Sequence, residues 1–189
     1  MKEQPEPNVL PIPMDDRILT KCNRILNDSL ERHSKVFVMR MDIHFPNDEM
    51  AQEKIKTFNQ RLREKWKNAG YDPAYVAARE VGSKEGIHYH EAWFLNGQKT
   101  WKTYERFKEA EAVHQRVIGS EYDATGLIDH CDKGHRNGIM VKRDDPDPTN
   151  FQEAQRQVSY LAKKDQKENV RGKTFFSSRP KGRNKEENE

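Results

Sequence analysis

The stretch VFVMRMDIHFP, residues 36–46, alternates large apolar side chains with a second set that turns polar toward its end. A period of two places successive side chains on opposite faces of a β-strand. One face carries Phe37, Met39, Met41, Ile43 and Phe45, and the other ends in Arg40, Asp42 and His44. Pro46 ends the strand, because proline lacks the amide donor that a sheet needs. This stretch predicts a core strand whose second face leads into a polar region.

The elements around this strand predict an α+β fold. Helical spacing of apolar residues predicts helices over about 15–32, 49–68, 100–117 and 150–164. Residues 74–82 and 87–97 have strand character and are joined by the turn GSKEG, and short strands are predicted at 127–130 and 138–141. We expect an antiparallel sheet with helices packed on one face and a helix at the N-terminal end. Trp101 and Tyr104 are predicted to be buried by the third helix.

Length and composition favour one polar domain. The chain has 189 residues, of which 33% are hydrophobic and 34% charged. We expect a disordered tail over 1–13, a single domain over 14–178 and a charged, disordered tail over 179–189. No apolar run approaches the roughly 18 residues of a membrane span, and the first residues are too polar for a signal peptide. With only two cysteines in no paired motif, the expected location is a reducing cytoplasm.

The small net charge of the chain hides a basic segment. Residues 163–185 hold nine Lys or Arg and two acidic residues, a local charge of +7 within a chain of +3. A basic segment on a nearly neutral body suggests nucleic acid as a partner, and a solvated, disordered tail is the alternative.

A candidate metal site centres on Ile87-His88-Tyr89-His90. Two histidines at i and i+2 of a strand project from the same face, where both can bind one ion. Glu80 lies on the preceding strand and can sit across from the pair. Two imidazoles and a carboxylate suit a divalent metal with open positions, and Mg²⁺ or Mn²⁺ is expected. The alternatives are packed histidines and a Glu80 paired with a neighbouring cation.

A candidate nucleophile lies on the last predicted helix. Tyr160 and Lys163 are three residues apart and share a helix face. A nearby ammonium and a polarised phosphate would help a tyrosine hydroxyl to attack phosphorus. The adjacent Lys164 is a second candidate for the lysine role. A tyrosine and a lysine one turn apart are also common on ordinary helix surfaces.

Together these residues resemble the HUH endonucleases, which include replication initiators and relaxases of phages, plasmids and single-stranded DNA viruses. That family combines a His-hydrophobic-His strand, a third ligand and a Tyr-x-x-Lys helix, here His88 and His90, Glu80, and Tyr160 with Lys163. The segments RHSKVFVMRMDIHFP, HYHEAWFLNG and VSYLAKK are similar to the narrower YagK/YfjJ-like, inovirus-type replication proteins. The likeness covers about residues 15–178 and implies an HUH/RRM-like sandwich with one catalytic tyrosine.

The resemblance implies a nickase that acts on single-stranded or melted origin DNA in a bacterial host cytoplasm, with host replication proteins as further partners. Tyr160 would form a 5′-phosphotyrosine bond and leave a free 3′-hydroxyl for rolling-circle replication. Contacts to DNA are expected from Arg40, Asp42, His44, Lys173, Arg179, Lys181 and Arg183. Arg40, Asp42 and His44 could equally orient a ligand histidine, or they could be ordinary exposed residues. The alternatives are a catalytically silent nucleic-acid-binding module and a metallohydrolase in which Tyr160 has no role.

Overall fold

The computed structural model describes residues 13–82, 86–132, 136–164 and 174–178. Its helices are α1 (Asp16–Arg32), α2 (Asp48–Asn68), α3 (Thr103–Ile118) and α4 (Thr149–Ser159), and α4 continues into a 3-10 turn over Tyr160–Ala162. Its strands are β1 (Lys35–Ile43), β2 (Ala74–Gly82), β3 (Gly86–Asn96), β4 (Ile128–Asp129), β5 (Ile139–Lys142) and β6 (Phe175–Ser177). The α+β class, the antiparallel sheet and the N-terminal helix are confirmed.

The first two helices begin at side-chain caps. The Asp15 carboxylate accepts hydrogen bonds from the amides of Arg17 and Ile18, and the Asn47 amide oxygen accepts one from Met50 N at 2.9 Å. These caps satisfy amides that have no partner within the helix, which fixes where each helix starts. The predicted starts, at about 15 and 49, lie within one residue of the observed ones.

Strand β1 lies inside the sheet and contacts three other strands. The order is β4-β1-β3-β2-β6, and β5 pairs with the first half of β1 on the same edge as β4. All pairings are antiparallel. Strand β6, which pairs with β2, was not predicted because its residues lie within the basic segment. The hairpin formed by β2 and β3 therefore has a paired strand on each side, β6 next to β2 and β1 next to β3.

The helices cover both faces of the sheet, which differs from the expected packing on one face. Helices α2 and α3 pack on the face that carries Phe37, Met39 and Met41. Helices α1 and α4 pack on the other face, against Val36 and Val38. The first half of β1 is apolar on both faces, so each face needs a layer of helices. The second half of β1 carries Arg40 and Asp42 on the face of α1 and α4.

The third helix begins later than predicted, and two aromatic residues are consequently exposed. Trp101 precedes the helix and is 62% exposed, and Tyr104 in its first turn is 68% exposed. The buried position in that turn is taken by Arg106, whose guanidinium donates to Thr100 Oγ1 and lies over the Tyr71 ring. Trp66 and Trp93 are buried.

Both predicted tails fall almost wholly outside the described residues. Of the predicted N-terminal tail only Pro13 is described, and 179–189 is not. Within the part of the chain that the structure describes, no helix is both long and apolar enough to cross a bilayer.

Candidate metal and nucleophile site

The register of three adjacent strands brings the predicted metal ligands together. Glu80 on β2 lies directly opposite His88 on β3, and Asp42 on β1 lies opposite His90. Residues that oppose each other in an antiparallel pair point to the same face of the sheet. All four side chains therefore project into the layer of α1 and α4.

Glu80, His88 and His90 form a compact and deeply buried cluster. Glu80 Oε2 lies 3.0 Å from His90 Nε2 and 4.0 Å from His88 Nε2. One ligand atom from each residue can be chosen so that all three lie within 4.8 Å of one another. The three residues are 1%, 3% and 6% exposed. A buried carboxylate with two imidazoles is a donor set that fits one divalent ion.

The outer nitrogen of each histidine faces an oxygen acceptor. His88 Nδ1 lies 3.2 Å from the Gly86 carbonyl oxygen, and His90 Nδ1 lies 2.6 Å from Asp42 Oδ1. A hydrogen bond at Nδ1 leaves Nε2 as the free lone pair and fixes the plane of the ring. Both Nε2 atoms face Glu80, so both rings are oriented as metal ligands require.

Two neighbouring carboxylates raise the pKa of His90. Burial alone lowers the pKa of His90, but its bonds to Asp42 and Glu80 and their charges outweigh burial and raise it. Burial alone raises the pKa of Asp42, whereas His90 and Arg40 together lower it well below its usual range. Asp42 is therefore an anion that holds His90 in place. This supports the orienting role that the sequence left open for Asp42.

Glu91 adjoins His90 in sequence but lies on the opposite face of the sheet. Its carboxyl is fully buried beneath α2 and accepts a hydrogen bond from Trp93 Nε1 at 2.8 Å. Burial raises the pKa of Glu91 to about 8. Glu91 is a core residue and contributes nothing to the Glu80-His88-His90 cluster.

Tyr160 packs directly against this cluster. Its ring stands edge-on to His90 with the two centroids 5.4 Å apart. Lys163 Nζ donates to Tyr160 Oη at 3.2 Å. In a 3-10 turn, residues i and i+3 are eclipsed, which places Lys163 beside Tyr160. Lys164 is exposed, so the structure associates Lys163, and not Lys164, with the tyrosine.

A family model of the YagK/YfjJ C-terminal domain matches residues 13–178. The chain belongs to this family. Neither a search of curated proteins nor a search of solved structures finds a match. The matched segment contains Glu80, both histidines, Tyr160 and Lys163, so the whole site lies within the YagK/YfjJ domain.

Arg40 of the YagK/YfjJ domain connects the tyrosine with the histidine pair. Its guanidinium carbon lies 4.3 Å from the centroid of the Tyr160 ring, and its NH2 donates to Asp42 Oδ1 at 3.2 Å. Lys163 Nζ also lies 4.3 Å from that centroid, so two cations flank one ring. The Arg40 side chain is only 13% exposed, which favours a role within the site over a surface contact to DNA.

Asn137 is a supporting residue that the sequence did not suggest. Its side-chain amide accepts from Arg40 N at 2.9 Å and donates to Arg40 O at 2.7 Å, as a neighbouring strand would. It thereby fills the gap between β4 and β5 beside β1. Asn137 and Arg40 are 97 positions apart, and no local sequence pattern predicts a contact over that distance.

The other proposed contacts of the YagK/YfjJ domain divide into two groups. His44 is partly exposed and stacks on His88, with ring centroids 5.3 Å apart. Four proposed DNA contacts lie outside the described residues, namely Lys173, Arg179, Lys181 and Arg183.

Proposed function

We propose that this chain is a metal-dependent endonuclease of the HUH type, which nicks and rejoins single-stranded DNA through a covalent bond to Tyr160. One observation carries the proposal: Tyr160 and its partner Lys163 lie against His90 of a buried Glu-His-His cluster. Neither constellation alone is specific, because buried histidines and Tyr-Lys pairs are both common. Their contact on one sheet face is what a tyrosine nuclease requires.

The ligand set fits a divalent ion, which we propose to be Mg²⁺ or Mn²⁺. Glu80 Oε2 and the Nε2 atoms of His88 and His90 would hold it, and Asp42 and the Gly86 carbonyl orient the two rings. A bound ion would supply charge neutralisation at the scissile phosphate. The described donor set of Glu80, His88 and His90 contains no thiolate, which favours these harder metals.

Lys163 and Arg40 prepare Tyr160 for attack. A phenol is a weak nucleophile, since only its anion attacks phosphorus efficiently. The Lys163 ammonium donates to Oη and stabilises negative charge there as the proton leaves to solvent. Arg40 covers one face of the ring and restricts its orientation. Both cations act on the nucleophile before any substrate is present.

The proposed step is a transesterification. Tyr160 Oη forms a bond to phosphorus while the bond from phosphorus to the 3′-oxygen breaks, and that oxygen takes up a proton. The products are a 5′-phosphotyrosine and a free 3′-hydroxyl that a polymerase can extend. Attack of a 3′-hydroxyl on the phosphotyrosine reverses the reaction and rejoins the strand. No oxidant or cofactor besides the metal is needed.

This chemistry suits the initiation of rolling-circle replication. The proposed substrate is single-stranded or melted origin DNA, because a ligand cluster that is at most 6% exposed leaves little room for a duplex. The proposed setting is a bacterial host cytoplasm, where host replication proteins would extend the 3′-hydroxyl.

The test compares wild-type protein with Tyr160→Phe. Both are incubated with Mn²⁺ and a random-sequence pool of end-labelled single-stranded DNA, and products are separated on a denaturing gel. We expect wild type to give cleaved DNA and a protein–DNA adduct, and Tyr160→Phe to give neither while it still binds DNA. Tyr104→Phe is the control, since Tyr104 is exposed on α3 and should leave both products unchanged.

Two outcomes would overturn the proposal. Cleavage that survives in Tyr160→Phe would make water the nucleophile and the chain a metallohydrolase. Wild-type protein that binds single-stranded DNA but never cleaves it with Mn²⁺ or Mg²⁺ would be a silent nucleic-acid-binding module.

A further inference from the structure

The N-terminal segment Pro13–Asp15 pairs with the chain that follows Tyr160. Asp15 N donates to the Ala162 carbonyl at 2.7 Å, and Lys164 N donates to the Pro13 carbonyl at 3.1 Å. Between these two bonds, Met14 and Lys163 form an isolated antiparallel bridge. The contact joins parts of the chain that are about 150 residues apart, so neither local helix geometry nor the hairpin requires it.

This pairing acts where the chain leaves the 3-10 turn. Lys163 caps the turn with ψ of 135°, and its backbone is therefore already extended. Beyond this point no helical hydrogen bond can fix the chain direction. The hydrogen bonds at Ala162 and Lys164 lie on either side of Lys163 in sequence. They fix the direction of its backbone, as the hydrogen bonds from a neighbouring β-strand do.

The alignment matters because Lys163 reaches Tyr160 through a flexible side chain. Its Nζ lies at the end of this side chain, 3.2 Å from Tyr160 Oη. A lysine side chain carries much rotational freedom, and an unfixed backbone would add more. A displacement of about 1 Å at a catalytic group can reduce a rate 100-fold.

We propose that Pro13–Asp15 is a positioning segment that holds the Lys163 backbone so that its ammonium meets Tyr160 Oη. This inference rests on the proposed nuclease function, and it assigns to that site a segment that positions Lys163. The hydrogen bonds of the segment go to Ala162, to Lys164 and to the first turn of α1. Its effect should therefore appear in the chemical step and not in metal or DNA binding.

Asp15→Pro and Asp15→Ala form a matched pair that isolates this contact. Both remove the carboxylate that caps α1, but only proline also removes the Asp15 N–H and sets a ring carbon against the Ala162 carbonyl. The Asp15 φ of −87° lies close to the range of proline, which limits strain elsewhere. With DNA cleavage by the full chain as the assay, we expect kcat of Asp15→Pro to be about 10-fold below that of Asp15→Ala, with KM unchanged.

The same pair is then compared in a Lys163→Ala background. If the segment acts through Lys163, the difference between proline and alanine should vanish there, because the group being positioned is gone. A merely structural role would reduce kcat equally in both backgrounds and would overturn the inference. Thermal unfolding of Asp15→Pro and Asp15→Ala is measured alongside, and the loss of one hydrogen bond is expected to lower the midpoint of Asp15→Pro by about 2–4 °C, with both variants folded at the assay temperature.

Failure of this inference is distinguishable from failure of the proposed function. If wild type cleaves DNA but Asp15→Pro and Asp15→Ala have equal kcat, only the positioning role is refuted. If wild type does not cleave, the nuclease proposal fails and the inference falls with it.

Discussion

At His90, both nitrogens of one imidazole face carboxylates. Asp42 lies 2.6 Å from Nδ1 and Glu80 lies 3.0 Å from Nε2. Without a metal, this arrangement stabilises the protonated ring between two anions. If an ion binds as proposed, Glu80 and Nε2 would become ligands and Asp42 alone would keep the ring oriented.

We expect Asp42→Asn to weaken Mn²⁺ binding about 10- to 100-fold, the usual effect of removing the acceptor behind a ligand histidine. An asparagine keeps the size of the side chain but loses the charge that supports His90. Titration calorimetry with Mn²⁺, on protein first stripped of metal by prolonged chelator treatment, measures the change without any assay of activity.

The control for this variant is Glu91→Gln. Glu91 is the nearest carboxyl in sequence to His90 but lies on the other face, and its pKa of about 8 makes it neutral at pH 7. A neutral amide should replace it with little change. Mn²⁺ affinity that falls as much in Glu91→Gln as in Asp42→Asn would contradict the assigned role of Asp42.

Among the elements, the junction of β1, α2 and α3 encloses a buried histidine. His114 on α3 is 0% exposed and packs on Phe45 and Phe58. Burial lowers the pKa of His114 to about 4, with smaller and opposing effects from His44. The folded protein therefore keeps His114 neutral at pH values where an unfolded chain would protonate it.

This histidine should make the fold sensitive to acid. The free energy of unfolding is unaffected by protonation of His114 above about pH 6.5, where the ring is neutral in both states. It decreases as the pH falls toward 4, because the unfolded chain then binds a proton at His114 that the folded chain does not. The loss approaches 1.4 kcal/mol per pH unit, as for any single proton. Urea unfolding between pH 4.5 and 7 should show a smaller slope for His114→Gln than for wild type. Equal slopes would place the acid sensitivity elsewhere.

Elements with strong local signals were predictable from the sequence. The alternation in β1 and the capped, periodic helices α1 and α2 gave bounds close to the observed ones. Elements that depend on distant partners were not predictable from the sequence. Strand β6 has only three residues, and it forms by pairing with the outer edge of β2. The predicted last helix, 150–164, ends instead at Ser159 and tightens into the turn that carries Tyr160.

Over the whole molecule, the topology assembles the site from segments that are far apart in sequence. The hairpin supplies the Glu80-His88-His90 cluster, β1 supplies Asp42 and Arg40, and the turn after α4 supplies Tyr160. Residue types and spacing were enough to predict the Glu80-His88-His90 cluster, since Glu80 and His88 are joined by a short turn. They were insufficient for the choice between Lys163 and Lys164, which depends on where the 3-10 turn places each side chain relative to Tyr160.

A metal that binds only the folded cluster should stabilise the entire domain. At a Mn²⁺ concentration 100 times its Kd, the gain in unfolding free energy is about 2.7 kcal/mol. For a domain of this size the expected rise in Tm is roughly 5–10 °C. Differential scanning calorimetry with and without Mn²⁺ tests this, and Glu80→Gln should abolish the rise. An equal rise in Glu80→Gln would place the ion at another site.

The burial of Glu80, His88 and His90 also bears on how an ion gets in and out. Surface sites exchange ions freely, whereas a cluster that is almost closed to solvent exchanges them only when the surrounding structure opens. An ion taken up during folding would then remain through purification, and a chelator would remove it slowly. The metal found in a preparation would reflect the ions available in the expressing cell as much as the preference of the ligands.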